Sequence, residues 1–241
     1  GRDPLAAAHG TDLKALIPVG GMPMVARPLQ ALLKSPQVAQ VRVLTQQTDR
    51  IATVLPRDER LTVEQSGRTI AATLEALLAD PATRFPLLVT TADHALLDEA
   101  MIADFCTNAE GADLAIGLVE RRALMRRLSD TQRTWIKFRG GAYSGANLFA
   151  FGSAEAAKAV ALWRSVEQDR KKGWRMIEAL GPAALLGALL RLRTLDQTLA
   201  TIGRRLGISI RKVELANPLA AVDVDKEADH ALVTAILEGR A

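Results

Sequence analysis

Phe85-Pro86-Leu87-Leu88-Val89-Thr90-Thr91-Ala92-Asp93 is the stretch that decides the fold. Residues 85–90 form a short apolar run rich in strand-forming side chains. Such a run fits a strand buried on both faces of a sheet. It ends at a carboxylate, Asp93. In open α/β sheets ligands bind outside the carboxyl ends of the strands, so Asp93 becomes a candidate from its place alone. It can hold a hard cation such as Mg²⁺, or it can cap the next helix; the residue by itself leaves both open.

Outward from this strand, the chain alternates between period-2 and helical patterns. Upstream, residues 1–13 read as a loop, with a short apolar piece at 15–19, a Gly20-Gly21 turn and a helix over 24–33. Strands are expected at 40–45 and 61–64 and a helix at 49–55, and Ser66 is read as the cap of a helix reaching Leu78. Downstream, helices are expected at 98–107, 154–169, 174–193, 194–206 and 227–237, the fourth stopped by Gly207. Strands are expected at 113–118, 134–138, 145–151, 209–214 and, briefly, 222–225. This order predicts an α/β fold: a doubly wound, mostly parallel sheet with helices on both faces. One domain, 1–241, with a helical insertion at about 154–206, is the simplest organisation.

Composition agrees. The 241 residues are 49% hydrophobic and 24% charged, enough apolar material for a sizeable core, and only 4% aromatic. The net charge of +4 suits an anionic ligand. No zinc-finger spacing or aromatic RNA-binding strand motif is present, so nucleic acid is not the expected partner. A single cysteine, Cys106, excludes a disulfide framework within one chain. No apolar stretch reaches the roughly 20 residues of a membrane span. The cytoplasm is the expected compartment; oligomeric state is not legible.

Several segments carry candidate chemistry. Asp223 and Asp225 alternate in Ala221-Val222-Asp223-Val224-Asp225, which on a strand places both carboxylates on one face. Two such groups repel unless a cation or proton lies between them, although a solvated edge leading into a helix cap is the alternative. Lys14 neighbours Gly10, Gly20 and Gly21, where backbone can approach a phosphate closely. Gln65-Ser66-Gly67 precedes a helix; Gln65 can donate to and accept from a base edge. Gly140 to Asn147 (GGAYSGAN) reads as a glycine-rich loop or as a hairpin connection, with the only tyrosine, Tyr143. Lys172 belongs to the basic run 170–175, a clamp for an acceptor phosphate or a solvated face. His9, His94 and His230 are too scattered in the sequence to read as a zinc set.

Taken in order, these motifs resemble the nucleotidyltransferases with a glycosyltransferase-A-like fold, including the molybdenum-cofactor guanylyltransferases and the sugar- and alcohol-phosphate nucleotidyltransferases. Lys14-Ala15-Leu16-Ile17-Pro18-Val19-Gly20-Gly21-Met22-Pro23 is similar to the family's Pro-Lys-x-Leu-x-x-Val-x-Gly-x-Pro segment, with Leu13 in place of the proline. Asp93 stands where the family has its metal aspartate, and Val222 to Ala231 resembles its carboxyl-terminal metal segment.

The resemblance implies an Mg²⁺-dependent enzyme that transfers a nucleoside monophosphate from a triphosphate to a phosphorylated acceptor and releases pyrophosphate. Lys14, Asp93 and Asp225 would be catalytic, with the metal on Asp93, Asp225 and Asp223. Arg2, Lys14, Gln65, Ser66, Gly67 and Ala92 would meet the nucleotide; Tyr143, Gly145, Asn147 and Lys172 would meet the acceptor. It also implies a first strand and glycine-rich loop upstream of Gly1-Arg2-Asp3. Rival readings are a glycosyltransferase of the same fold and a non-catalytic nucleotide-binding regulator. For residues 179–205, rich in Leu and Ala with several arginines, a buried helix pair competes with an interfacial pair facing a lipid surface or an amphiphilic acceptor.

Overall fold

Pro86 has no backbone N–H to give to a ladder, and the strand read from 85–90 begins after it, as β5, Leu87–Thr90. The structure is a computed structural model that describes residues 3–129, 131, 133–168 and 193–240. In it β5 ends a five-stranded sheet ordered β5–β8–β6–β9, formed with β6 (Leu114–Glu120), β8 (Gly141–Phe151) and β9 (Ile210–Glu214); β7 (Ile136–Phe138) also pairs with β8. Strands β5, β6 and β7 run antiparallel to β8, and β9 runs parallel to β6. Strand β8 is thus the reversed strand among neighbours that share one direction. A hairpin from β7 allows this, because antiparallel strands need no crossover. Strands β3 (Val41–Thr45) and β4 (Leu61–Gln65) form a separate parallel pair.

The α/β class read from the sequence holds. The full burial expected for β5 does not: Leu87 to Thr90 are all half-buried, because β5 is paired on one side only.

The side chains of β6 alternate between two packed layers. Ala115 and Val119 join the larger core with Met101, Ile102 and Phe105 of α5 (Glu99–Ala109), and that core also takes in Ala31 of α2 (Ala26–Lys34). Leu114 joins Leu74 and Leu78 of α4 (Ile70–Ala79) and Val160 of α7 (Ala157–Gln168) in a second core. Helices therefore cover both faces of the sheet.

Local chemistry explains most departures from the expected elements. Residues 1–13 are not all loop. Asp3 accepts hydrogen bonds from the N–H groups of Leu5 and Ala6 and starts α1 (Pro4–Ala8), with Pro4 in the first turn, where its missing N–H costs nothing. Helix α4 is capped by Thr69, whose hydroxyl accepts from Ala72 N–H, and not by Ser66. A helix unread from the sequence, α6 (Arg121–Arg127), is capped by Glu120. Residues 222–225 are irregular rather than a strand. Val222 and Val224 are nonetheless fully buried, so the alternation seen in the sequence survives without a ladder.

A short helix, α3 (Thr48–Ala52), follows β3. Helix α8 (Leu195–Leu206) carries a Thr194–Gln197 capping box and stops at Gly207, whose φ of 66° suits the left-handed cap. The last helix is α9 (Glu227–Leu237). The helix expected at 174–193 lies almost wholly outside the described residues, which omit 169–192 of the insertion. The apolar side of α8, Leu195 and Leu199, packs with Leu118 and Ile210, so this part of the 179–205 region faces the core.

Candidate active site

Three distant segments converge beyond the carboxyl end of β5. The first is a 3₁₀ turn, Lys14–Leu16, followed by a two-residue hairpin of β1 (Pro18–Val19) and β2 (Met22–Pro23). Gly20 and Gly21 have φ of 55° and 85°, as a tight two-residue hairpin turn requires. The second is the turn Thr91 to His94. The third is the irregular segment 222–225, joined to the second by Val224 N–H donating to Asp93 O at 3.1 Å.

At the meeting point the Lys14 ammonium donates to Asp93 Oδ2 at 2.9 Å and to Asp225 Oδ1 at 2.7 Å. Thr91 Oγ1 donates to the other oxygen of Asp93 and fixes its rotamer. Burial by itself would lower the Lys14 pKa, but the hydrogen bonds and charges of Asp225 and Asp93 outweigh it. The ammonium titrates above the ordinary lysine value. The structure thus brings together the sequence-derived residues Lys14, Asp93 and Asp225, with Ala92 in the same turn.

Asp223 is turned elsewhere. Its carboxylate accepts from Arg133 Nη1 and, at 3.3 Å, from Asn147 Nδ2. Arg133 also donates to Asp229 at 3.1 Å, and Asp229 Oδ2 accepts the N–H groups of Asp225 and Lys226 at 3.2 Å each. Asp223 and Asp225 therefore do not share one face as a strand would require; neighbouring irregular residues send one to Arg133 and the other to Lys14. Burial pushes the Asp223 carboxyl above its usual value, and the charges of Asp225 and Asp93 add to this against the pull of Arg133. Arg133, only 7% exposed, and Asp229 were missed by sequence reasoning. Arg133 lies in a polar, aperiodic stretch, and nothing local marks it.

His94 is also buried beside the site. Its Nδ1 lies 3.2 Å from Thr90 Oγ1, and its Nε2 has no hydrogen-bond partner. Burial lowers its pKa to about 4, with the Asp93 charge opposing, so the ring is neutral at neutral pH.

The segment 65–67 lies at the carboxyl end of β4. Ser66 N–H donates to Thr45 O at 2.9 Å and Gly67 N–H to Thr73 Oγ1 at 3.0 Å, so these two amides are already engaged, while Gln65 is exposed. Gln46 donates to Gly67 O at 3.1 Å. Nearby, Arg50 of α3 makes a bidentate pair with Asp12, at 2.6 and 3.1 Å, two residues before Lys14. Helix α3 is thereby tied to the Lys14 segment.

Of the two readings of 140–147 the hairpin connection holds: residues 141–147 are part of β8, and Gly141, Ala142 and Tyr143 pair with β7. Among the described residues of the acceptor set, only Asn147 touches the carboxylate cluster, from a backbone with φ of 48°. Tyr143 packs near Phe138 and under the Lys212 ammonium, 5.1 Å from the ring centroid, and Gly145 is exposed on the strand. Arg2 and Lys172 lie outside the described residues. His9 and His230, far apart in the sequence, lie together in space with ring centroids 4.3 Å apart, while His94 lies apart from them beside Thr90.

Among the described residues, no helix is long and apolar enough to cross a membrane. Comparison with known proteins agrees with this architecture. A hypothetical transferase from Thermus thermophilus matches with a TM-score of 0.79 and 28% identity, over 95% of this chain and 95% of that one. A 4-diphosphocytidyl-2C-methyl-D-erythritol synthase from Anaerococcus prevotii matches with a TM-score of 0.59 at 11% identity, over 92% and 88%. A further structure of that synthase matches at 0.55 and 12%, over 93% and 92%. At such identities the two synthases share the fold alone. No curated protein sequence matches significantly. The profile of the MobA-like NTP transferase domain matches residues 8–206, most of the length, and the chain therefore belongs to that family and is an NTP-dependent nucleotidyltransferase.

Proposed function

We propose that this enzyme transfers a nucleoside monophosphate from its triphosphate to the phosphate of a small phosphorylated acceptor, with Mg²⁺ held by Asp93 and Asp225. The observation that carries this reading is the shared ammonium of Lys14, which two carboxylates from separate segments of the chain grip at 2.9 and 2.7 Å. Their oxygens already converge on one positive charge, and an all-oxygen donor pair of this kind fits Mg²⁺, which uses one or two carboxylates together with substrate phosphates. Asp223, engaged by Arg133, suits the role of a neighbour that orients the segment rather than a direct ligand. When bound, Mg²⁺ supplies Lewis-acid stabilisation of the charge on the α-phosphate.

The residues of the chain would do the positioning. Lys14, released from the carboxylates, moves its ammonium to the triphosphate oxygens and neutralises them. Asp93 keeps its orientation through Thr91. Gln65 reads the base from the carboxyl end of β4, and Asn147 reaches the acceptor from β8. An acceptor phosphate oxygen then forms a bond to the α-phosphorus as the bond to the bridging oxygen breaks, and pyrophosphate leaves with that electron pair. Such a transfer relies on alignment and charge neutralisation and needs no covalent enzyme intermediate.

The test is a pyrophosphate-release screen of the four nucleoside triphosphates against phosphorylated sugars, alcohols and cofactors, with Mg²⁺ and with EDTA. The reading requires release that depends on both the acceptor and Mg²⁺. Release without acceptor, or turnover of a nucleotide-sugar without pyrophosphate, would replace it.

A further inference from the structure

A second set of ligand groups lies beside the Lys14 segment and is not used by the transfer chemistry. His9 caps the carboxyl end of α1. Glu227 and His230 stand three residues apart in the first turn of α9 and so share a helix face. One ligand atom from each of the three lies within 4.8 Å of the others. His9 Nε2 is 3.0 Å from Glu227 Oε2. His230 Nε2 is 2.7 Å from Pro18 O. A carbonyl can only accept, so this nitrogen carries the proton, and the Nδ1 lone pair of His230 remains available to a metal. A histidine fixed by a backbone carbonyl through its other nitrogen is the usual support for a metal-ligating imidazole.

We propose that His9, Glu227 and His230 form a site for a borderline divalent transition metal of the zinc class, separate from the oxygen pair Asp93 and Asp225. Two imidazoles and one carboxylate select Zn²⁺-like ions over Mg²⁺, which prefers oxygen alone. Bonds of about 2.0–2.2 Å in a tetrahedron put neighbouring ligand atoms roughly 3.4 Å apart, so the 3.0 Å pair needs only a small side-chain rotation to admit the ion. Glu227 is 64% exposed, which leaves the remaining coordination position open to water.

The placement gives the ion a structural consequence. His9 precedes Lys14, Pro18 follows it, and Glu227 follows Asp225 by two residues. A metal there ties α1 to α9 across 218 positions and holds the Lys14 segment against the segment carrying Asp225.

The experiment uses the whole chain, stripped with a chelator and titrated calorimetrically with Zn²⁺ in excess Mg²⁺. Co²⁺ serves as a visible-absorption probe of tetrahedral nitrogen and oxygen ligation. One Zn²⁺ per chain is expected, with a raised melting temperature. Affinity should fall at least about tenfold in His9→Gln and in Glu227→Gln. Both side chains reach the surface, and metal-free variants should melt as the parent does; His230→Gln adds a third reading. An Asp93→Asn, Asp225→Asn double variant should keep the Zn²⁺ affinity. Absence of stoichiometric binding in excess Mg²⁺, binding unchanged by His9→Gln and Glu227→Gln together, or binding lost in the aspartate double variant would overturn the assignment.

Discussion

Lys14 Nζ and Asp225 Oδ1 meet at 2.7 Å although 211 positions separate them in the chain. The same ammonium holds Asp93, so one residue of the amino-terminal segment fixes two carboxylates that neither share an element nor adjoin in sequence. The contact is half-open to solvent, with Asp225 63% exposed, and contributes little to stability. Its consequence is geometric.

Removing either charge is therefore expected to stop catalysis without unfolding the protein. Asp93→Asn and Asp225→Asn should each reduce Mg²⁺-dependent pyrophosphate release by at least about 100-fold, equivalent to roughly 2.7 kcal/mol of transition-state stabilisation. Circular dichroism and the melting temperature should stay near those of the parent. Activity within a few fold of the parent in either variant would remove that aspartate from the site.

Arg133 behaves in the opposite way. Its guanidinium is buried and satisfies Asp223 and Asp229 together. Arg133→Met leaves both carboxylates without that partner, and loss of one member of a buried ion pair costs about 3–5 kcal/mol. Urea unfolding should show this as a lower midpoint at an unchanged slope. A midpoint equal to that of the parent would mean that the cluster is not formed in solution.

The stability of the metal-free protein should depend on pH through His94. The folded pKa of about 4 lies below the ordinary value of 6.5, so between these values the unfolded chain binds more protons. Stability is then fully present above pH 6.5 and declines as pH falls toward 4. The total from this residue is roughly 3 kcal/mol. His94→Gln should flatten that part of the stability curve, measured by denaturant titration at several pH values. An unchanged slope would assign the acid sensitivity to other groups.

Two hydroxyls test the start of α4. Thr69→Ala removes the cap on Ala72 N–H and should cost about 1 kcal/mol. Ser66→Ala touches no helix amide and should be close to neutral. Equal losses in the two variants would contradict the observed cap.

The sequence by itself determined the layers. The alternation of apolar runs and helical periods specifies an α/β sheet covered on both faces, because each side chain's period decides which face it can bury. Helix limits were legible at Gly207 and Glu227, but the local caps Asp3, Thr69 and Glu120 were passed over, because each competes with other polar residues nearby. Gly20-Gly21 read as a turn, which the structure makes the tip of a hairpin, and the apolar run ending in Asp93 pointed to the carboxyl end of β5. The tertiary structure alone decided which polar groups meet. Asp223 and Asp225 read as a matched pair, but the packing of Arg133 against Asp223 and Asp229 sends them to different partners. Tyr143 could sit in a loop or in a hairpin connection, and pairing with β7 decides for the hairpin. His9 and His230 looked unrelated until α1 docked beside α9. The reason is physical: burial periodicity is a property of neighbours along the chain, whereas an ion pair or a ligand set depends on distances between segments, and those are fixed only when the core closes.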